Sequence, residues 1–372
     1  MAPRNFVRTE IIPAQPPPAG TLGPLAWLRA HLFSTPANAA ITILAVLFLA
    51  WTIPPLIRWA FVDAVWTGEN REACVGAGAC WAFVRAKFDL FMYGQYPPAQ
   101  HWRVNVVGLL FVAGLVPMAI PAIPGKRWTV LYLLVVFPVA AFILLRGGMF
   151  GLTDVPTTRW GGLLVTLVVA VTGIVIAFPL GVLLALARRS RLPLIRVLAT
   201  GLIEIWRGVP LVTVLFMASV MLPIFLPSGV TIDKLLRAII GIGVFYSAYM
   251  AEVIRGGLQS IPRGQYEGAM ALGLSGLQRT WLVVLPQALT ISIPGIVNTI
   301  IALFKDTSLV LIIALYDLLG MIQSATNDSN WAVAQVPASG YAFAAVIYWA
   351  LCFSMSRYSL FIERRRAAGR PR

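Results

Sequence analysis

The sequence predicts an all-α integral membrane protein with about eight transmembrane helices. Hydrophobic residues make up 59% of the 372 residues and charged residues only 12%, whereas soluble domains are about 25% charged. The apolar residues gather into long runs, and such runs span lipid as helices because backbone groups there need internal partners. The net charge of +15 fits cytoplasmic loops rich in arginine. This composition excludes an ordinary soluble enzyme and a nucleic-acid-binding domain.

Eight apolar runs are long enough to cross a bilayer. They cover approximately residues 39–59, 104–120, 128–145, 160–187, 197–226, 238–254, 286–304 and 341–362. With eight crossings, the N-terminal tail and basic clusters such as Lys126-Arg127 and Arg364-Arg365-Arg366 fall on one side. The positive-inside rule makes that side the cytoplasm, so we expect both termini there. Pro210 and Pro223 are expected to interrupt the overlong fifth run.

The N-terminal region up to residue 36 is polar, basic and rich in proline, which is typical of a disordered tail. The long segment after the first run contains Cys74 and Cys80. These cysteines either form a disulfide, if the segment faces an oxidising compartment, or remain free thiols. The sequence has three cysteines, two histidines and no cluster with metal-ligand spacing, so we expect no metal site.

The connection between the sixth and seventh runs, residues 263–286, has a helical pattern of its own and is called the elbow below. A short helix is expected to begin after Pro262 and to end at Gly273, and Ser275 suits the N-cap of a second helix. The first helix could enter a groove of another protein. Alternatively, the elbow could only join two spans at the membrane interface. Periodicity does not separate these alternatives.

The elbow resembles the EAA loop of ATP-binding-cassette (ABC) importer permeases. The match consists of Glu267-Gly268-Ala269, Gly273 and the Val-Val-Leu-Pro stretch that ends at Pro286, with Gly268 where many members have alanine. In that family the loop docks on the ATPase subunit and transmits its closure. The resemblance therefore implies an ATPase-coupling loop that contains Arg263, Tyr266, Glu267, Gly268, Ala269, Gly273 and Pro286.

Three further segments resemble the polar amino-acid branch of these permeases: residues 204–211, 249–257 and 305–309. The resemblance implies a type I ABC importer permease core of five helices over residues 159–366, followed by a basic tail over 367–372. A cytoplasmic tail (1–36) and an extension with three transmembrane helices and a long outer loop (37–158) precede this core. The extension resembles the larger permease subunit of broad-specificity L-amino-acid importers.

The resemblance also implies the partners of the chain. They are an ATPase subunit dimer that binds ATP and Mg, a second homologous permease subunit, a soluble periplasmic substrate-binding protein, the L-amino acid and membrane lipid of the bacterial inner membrane. The sequence itself contains no Walker A pattern, so the chain is expected to be a transport subunit and not an enzyme. The alternative is a secondary carrier of amino acids that is driven by an ion gradient.

Charged residues within the runs are candidates for the substrate path, because charges in lipid are costly. Glu204 and Arg207 are three residues apart and are expected to pair on one helix face. Glu252 and Arg255 form a second such pair near the cytoplasmic end of the sixth run, where we expect an interfacial and structural role. The first pair could line the path or merely lock helices together.

A second polar group lies where the seventh run ends. Counted from Pro286, Lys305 and Asp306 should lie near the outer surface, and the apolar stretch that follows could be a re-entrant segment. An amino acid needs both donors and an acceptor, and a set of polar residues could supply them: Asn298, Lys305, Asp306, Thr307 and Ser308. The same residues could instead only cap a helix end.

Overall fold

The computed structural model describes residues 23–120, 123–227 and 229–368. Within these ranges the regular structure is helical, apart from three isolated β-bridges. Seven helical segments of the described chain are long and apolar enough to cross a membrane, and one bent helix pair raises the number to as many as eight. The predicted all-α membrane fold is therefore confirmed.

The first compact unit contains two helices, α1 (Pro24–His31) and α2 (Pro36–Ile57). Helix α1 lies within the predicted disordered tail, so that prediction is wrong for these residues. Pro24 fits the first turn of a helix, and alanine and leucine follow as good helix formers. The rest of the predicted tail, residues 1–22, lies outside the described residues. Helix α2 corresponds to the first apolar run and continues through one π-helical turn, Arg58–Val62.

The second unit begins with the long loop and the rest of the N-terminal extension. Two further helices of transmembrane length lie here, residues 98–118 and 126–146, and the second includes a π-helical turn over Tyr132–Val136. The helices of this part are α3 (Trp81–Ala86), α4 (Phe88–Tyr93), α5 (His101–Ala119), α6 (Lys126–Leu131) and α7 (Phe137–Arg146).

The remaining helices form the predicted core. They are α8 (Gly162–Arg188), α9 (Pro193–Gly208), α10 (Leu211–Phe216), α11 (Leu222–Phe225), α12 (Lys234–Gln259), α13 (Arg263–Ala271), α14 (Gly276–Gln278), α15 (Leu285–Asp306), α16 (Leu318–Ala325) and α17 (Gln335–Ala368). A 3₁₀ helix over Thr307–Ile313 joins α15 to the turn before α16.

The predicted fifth span is not one helix. It breaks at Val209 and Pro210, and the two halves meet at an angle of 102°. Pro210 lacks a backbone N–H, and Val209 adopts the extended conformation that a residue before proline prefers. Pro223, the second expected interruption, lies in the first turn of α11, after a π-helical turn over Met217–Met221. Both halves of this broken span, α9 and α10, pack against α12.

Helix α12 is the central element, and it packs against α8, α9, α10 and α15. The close approach of α8 and α12 depends on small residues. A Cβ added at Gly181 would lie 2.6 Å from the Met250 Cβ, and one added at Gly243 would lie 2.6 Å from the Ile176 Cγ2. Membrane helices commonly meet at such positions. The side chains around α12 are therefore held on a tightly packed frame.

The long loop of the extension packs onto α16 and α17. A disulfide joins Cys74 and Cys80, whose Cα atoms lie 5.6 Å apart. Phe83 is fully buried and contacts Trp331 in a tilted arrangement, with ring centroids 5.7 Å apart. The Lys87 ammonium forms an ion pair with the Asp328 carboxylate at 2.5 Å. The extension thus shares a hydrophobic cluster with the C-terminal part of the core.

Candidate functional site: the elbow and a polar cavity

The elbow has the helix–break–helix structure that its sequence predicts. Helix α13 ends at Ala271, and Gly273 follows with φ +74°, a backbone conformation that glycine adopts without steric cost. The Ser275 hydroxyl then accepts a hydrogen bond from the Gln278 N–H at 3.3 Å, and the Gln278 side chain accepts one from the Ser275 N–H at 3.0 Å. This reciprocal capping box fixes the start of the second helix.

The seventh span does not begin at Pro286, contrary to the sequence-based count. A π-helical segment, Arg279–Val284, connects α14 directly to α15, so the whole run extends over Gly276–Ile313. Pro286 sits in the turn that follows this segment. A wide π turn is a common way to accommodate an irregularity such as a proline in a helix. The second half of the elbow is therefore continuous with a membrane-spanning helix.

One face of α13 is anchored to the rest of the chain. Ala269 is buried, and the Arg189 guanidinium lies 5.8 Å from the centroid of the Tyr266 ring. The same guanidinium donates a hydrogen bond to the Leu258 carbonyl at 3.0 Å. The Gln287 amide donates to the Gln265 side chain at 2.9 Å. These contacts position α13 against the C-terminal ends of α8 and α12 and the first turn of α15.

The other face of α13 is free of such contacts within the described chain. Glu267 and Gly268 are exposed, and so are the apolar side chains of Met270 and Leu272, the latter at 81%. Arg263 at the start of α13 is exposed as well. An acidic residue beside exposed apolar side chains is a composition suited to contact with another protein.

A cluster of ion pairs lies where α8, α9 and α12 meet. The Glu252 carboxylate accepts hydrogen bonds from Arg188 and from Arg255, the latter at 2.7 Å, and Arg207 lies 3.8 Å from it. The predicted Glu252–Arg255 pair is thus confirmed. The predicted Glu204–Arg207 pair is wrong: Glu204 pairs instead with Arg188, at 3.3 Å. Charged side chains on α8 and α12 thus replace the i, i+3 contact within α9.

A cavity of about 780 Å³ lies between α9, α10, α12 and α15. It brings together three of the predicted path residues: Arg207, Asn298 and Asp306. The Asp306 carboxylate accepts a hydrogen bond from the Tyr246 hydroxyl at 2.6 Å, and the Arg207 guanidinium lies 5.7 Å from the centroid of the Tyr249 ring. The cavity therefore holds a cation, an amide and an anion on its walls.

Asp306 lies at a different depth from the one that the sequence suggests. Its partner Tyr246 lies halfway along α12, so the expectation that Asp306 lies near the outer surface is wrong. The end of α15 does not mark the end of the crossing, because Thr307–Ile313 and α16 follow before the chain reaches α17.

The other predicted path residues do not line the cavity. Lys305 is exposed, and Glu204 forms an ion pair with Arg188. The Thr307 hydroxyl donates to the Phe304 carbonyl at 2.8 Å, and the Ser308 hydroxyl donates to the Lys305 carbonyl at 3.0 Å. Both hydroxyls therefore satisfy the end of α15, as the capping alternative expected.

Tyr246 and Tyr249 line the cavity, and the sequence analysis did not select them. The available signal was their spacing, because residues three apart share a helix face and both precede the stretch that contains Glu252.

The described residues contain no group of three or more histidine, cysteine, aspartate or glutamate side chains that could hold a metal ion.

Comparison with known proteins decides the family. Residues 177–368 match the family of binding-protein-dependent transport system inner membrane components. The chain belongs to this family. It is therefore a permease component of such a transport system, and its family-specific region includes the cavity, the ion-pair cluster and the elbow.

Two relatives match the permease component over nearly its whole length. The inner membrane amino-acid ABC transporter permease protein YhdY of Escherichia coli is 49% identical, over 97% of this chain and 99% of its own length. The glutamate/glutamine/aspartate/asparagine transport system permease protein BztC of Rhodobacter capsulatus is 36% identical, over 98% and 99%. The N-terminal extension is thus a feature shared with these longer relatives.

Shorter relatives match only part of the permease component. The probable glutamine ABC transporter permease protein GlnP of Bacillus subtilis is 35% identical over 56% of this chain and 93% of its own length. A crystal structure of an amino acid ABC transporter with histidines is 28% identical over 55% of this chain and 92% of that chain, with a TM-score of 0.48.

Proposed function

We propose that the chain is the permease subunit of an ATP-driven importer that moves L-amino acids across the bacterial inner membrane, with both termini in the cytoplasm. The observation that supports this substrate class is the polar cavity, because Arg207, Asn298 and Asp306 all line it. The naming of the longer relatives as amino-acid permeases supports the same substrate class.

The chemistry of the cavity matches an amino acid at both of its charged groups. The Arg207 guanidinium presents several N–H donors to a carboxylate, and the Asp306 carboxylate can receive an ammonium. Asn298 supplies an amide that can donate or accept. A zwitterion therefore finds a partner for each of its charges in one place, whereas an inorganic ion could engage only one of the two charged side chains and a neutral sugar would match neither with an opposite charge.

The elbow is proposed to bind the ATPase partner. Its exposed face, with Glu267, Met270 and Leu272, leaves an acidic and apolar surface available for a groove of an ATPase subunit. In this proposal an ATPase dimer binds ATP and Mg and moves the elbow. A second permease subunit completes the path, and a soluble substrate-binding protein docks on the opposite side of the membrane. The relatives named above give no support to an ion-coupled secondary carrier.

The test is uptake of radiolabelled L-amino acids by proteoliposomes that hold the full transport complex. We expect uptake to require ATP and the substrate-binding protein, and Asp306→Asn to lower it about tenfold, since a hydrogen bond to a charged group contributes roughly 1.5–3 kcal/mol. The matched control is Lys305→Gln, because Lys305 is adjacent to Asp306 but exposed and outside the cavity.

Two results would contradict the proposal. Equal losses in the Asp306 and Lys305 variants would remove the cavity from the path. Full uptake by the chain without an ATPase would favour the ion-coupled carrier instead. Glu267→Lys tests the elbow separately: we expect it to uncouple ATP hydrolysis from uptake while leaving the protein folded, because Glu267 is exposed.

A further inference from the structure

A second cavity lies at the seam between the N-terminal extension and the core. It has a volume of about 600 Å³ and is bordered by α5 and α7 of the extension and by α8 and the start of α12 of the core. Ligand cavities typically measure roughly 300–1,000 Å³, so this one is large enough for a ligand. It shares no lining residue with the polar cavity.

The seam cavity is apolar and open to the lipid side. Leu109, Val112 and Phe142 line it and are themselves largely exposed, Leu109 at 68%. On α8 the lining extends from Leu163 to Thr172, a rise of about 14 Å. That is roughly half of a hydrocarbon core of about 30 Å, so the cavity is as deep as one leaflet.

The lining also explains why the cavity exists. Gly108 of α5 faces it, and a Cβ added there would meet no heavy atom within 4 Å. The absence of a side chain at this position leaves a gap between α5 and α8 that a leucine would fill. Glycine in a helix costs about 1 kcal/mol relative to alanine, so the gap is maintained at some expense in stability.

The rim of the seam cavity is polar and carries a negative charge. Among the described residues that line it, Asp233 alone is charged. Its carboxylate accepts hydrogen bonds from the Thr157 hydroxyl and from the Leu236 N–H, the latter at 3.1 Å. A carboxylate offers about four acceptor positions, so acceptor capacity is left for a ligand. At the same end, the Tyr93 hydroxyl donates to the Asn105 side chain at 2.9 Å.

We propose that the seam cavity binds one aminophospholipid of the leaflet on the Asp233 side. An acyl chain lies in the apolar groove between α5, α7 and α8, and the headgroup ammonium binds the Asp233 carboxylate. The neighbouring Lys234 is exposed and can approach the headgroup phosphate. The lipid thereby fills the gap at Gly108 and joins the extension to the core.

The experiment is native mass spectrometry of the full-length chain, purified with any subunits that accompany it. Phosphatidylethanolamine, phosphatidylcholine and phosphatidylglycerol are added in equal amounts. We expect one phosphatidylethanolamine to be retained in preference to the others. Asp233→Asn should lower that preference about two- to fivefold, as for an exposed ion pair. Gly108→Trp should abolish the retained lipid.

The matched control is Val116→Trp, which introduces the same side chain at an exposed position of α5 outside the cavity and should leave retention unchanged. Gly108→Leu is the second variant if tryptophan prevents folding, since leucine is a good helix former. Retention without headgroup preference, or equal retention by the folded Gly108 variants and the wild type, would overturn the proposal. The latter result would mean that the retained lipid binds outside the seam cavity.

Discussion

Removal of the Glu252 carboxylate should destabilise the protein more than removal of any other acidic group in the ion-pair cluster. Glu252 is the shared partner of Arg188, Arg207 and Arg255 in the described chain, and only 15% of its side chain is exposed. Without it, three guanidinium groups face one another across the junction of α8, α9 and α12. These like charges repel one another, and the other acid of the cluster, Glu204, is too exposed to replace the Glu252 carboxylate.

The size of the effect follows from the three contacts. The Arg188 contact joins two largely buried groups, and a hydrogen bond to a charged group contributes about 1.5–3 kcal/mol. The Arg255 contact is a local i, i+3 pair, which adds about 0.3–0.5 kcal/mol, and the Arg207 contact at 3.8 Å adds little. We therefore expect Glu252→Ala to lower the free energy of unfolding by about 2–4 kcal/mol.

The assay is the thermal unfolding midpoint in detergent, read from tryptophan fluorescence. Glu204→Ala is the matched control, because Glu204 also contacts Arg188 but is 62% exposed, and exposed pairs contribute about 1 kcal/mol or less. The Glu252 variant should melt several degrees below the Glu204 variant. Equal midpoints for the two variants would refute the reasoning that burial and shared partners set the contribution.

Two further predictions concern the elbow and the long loop. Gly273→Val should lower stability by about 1–2 kcal/mol, because φ is +74° there and a β-branched residue is strained in that region; Gly268→Val, at an exposed helical glycine with open space at its Cβ, is the control for the melting midpoint. The Lys87 ammonium lowers the pKa of Asp328 below its ordinary 3.8, so its stabilising contribution is present above that value and is lost as the pH falls through the lower folded pKa. Asp328→Asn should remove this acid dependence from the unfolding midpoint measured between neutral and strongly acidic pH, and an unchanged profile would contradict it.

Much of the fold follows from the sequence because apolar length and helix punctuation act locally. The run that became α8 needs no information from the rest of the chain, since about 20 apolar residues in lipid have no structure available other than a helix. The elbow was equally predictable from the sequence, because Gly273 specifies a break through its backbone and Ser275 specifies a cap through its side chain. Pro210 likewise marked the site of the bend in the fifth span.

The partners of charged side chains were not accessible in the same way. On α9, Arg207 can pair either with Glu204, one turn earlier on the same helix, or with Glu252 on the neighbouring α12. Only the packing of α9 against α12 decides between them. The depth of Asp306 was predicted wrongly for a related reason. Rise per residue gives a position along a helix, but it gives a depth only if the start and the tilt of the span are known, and the sequence around Pro286 specifies neither.

The two adjacent arginines at the end of α8 connect the elbow to the polar cavity. Arg189 bridges α12 and α13, because its guanidinium donates a hydrogen bond to the Leu258 carbonyl of α12 and lies over the Tyr266 ring of α13. Arg188, the next residue, binds Glu252, which in turn lies 3.8 Å from the cavity-lining Arg207. In the proposed function, a displacement of α13 would therefore act on the end of α8 and on the ion-pair cluster. Since packed helices shift as units and do not deform continuously, the cluster is the place where such a shift would exchange one set of guanidinium–carboxylate contacts for another.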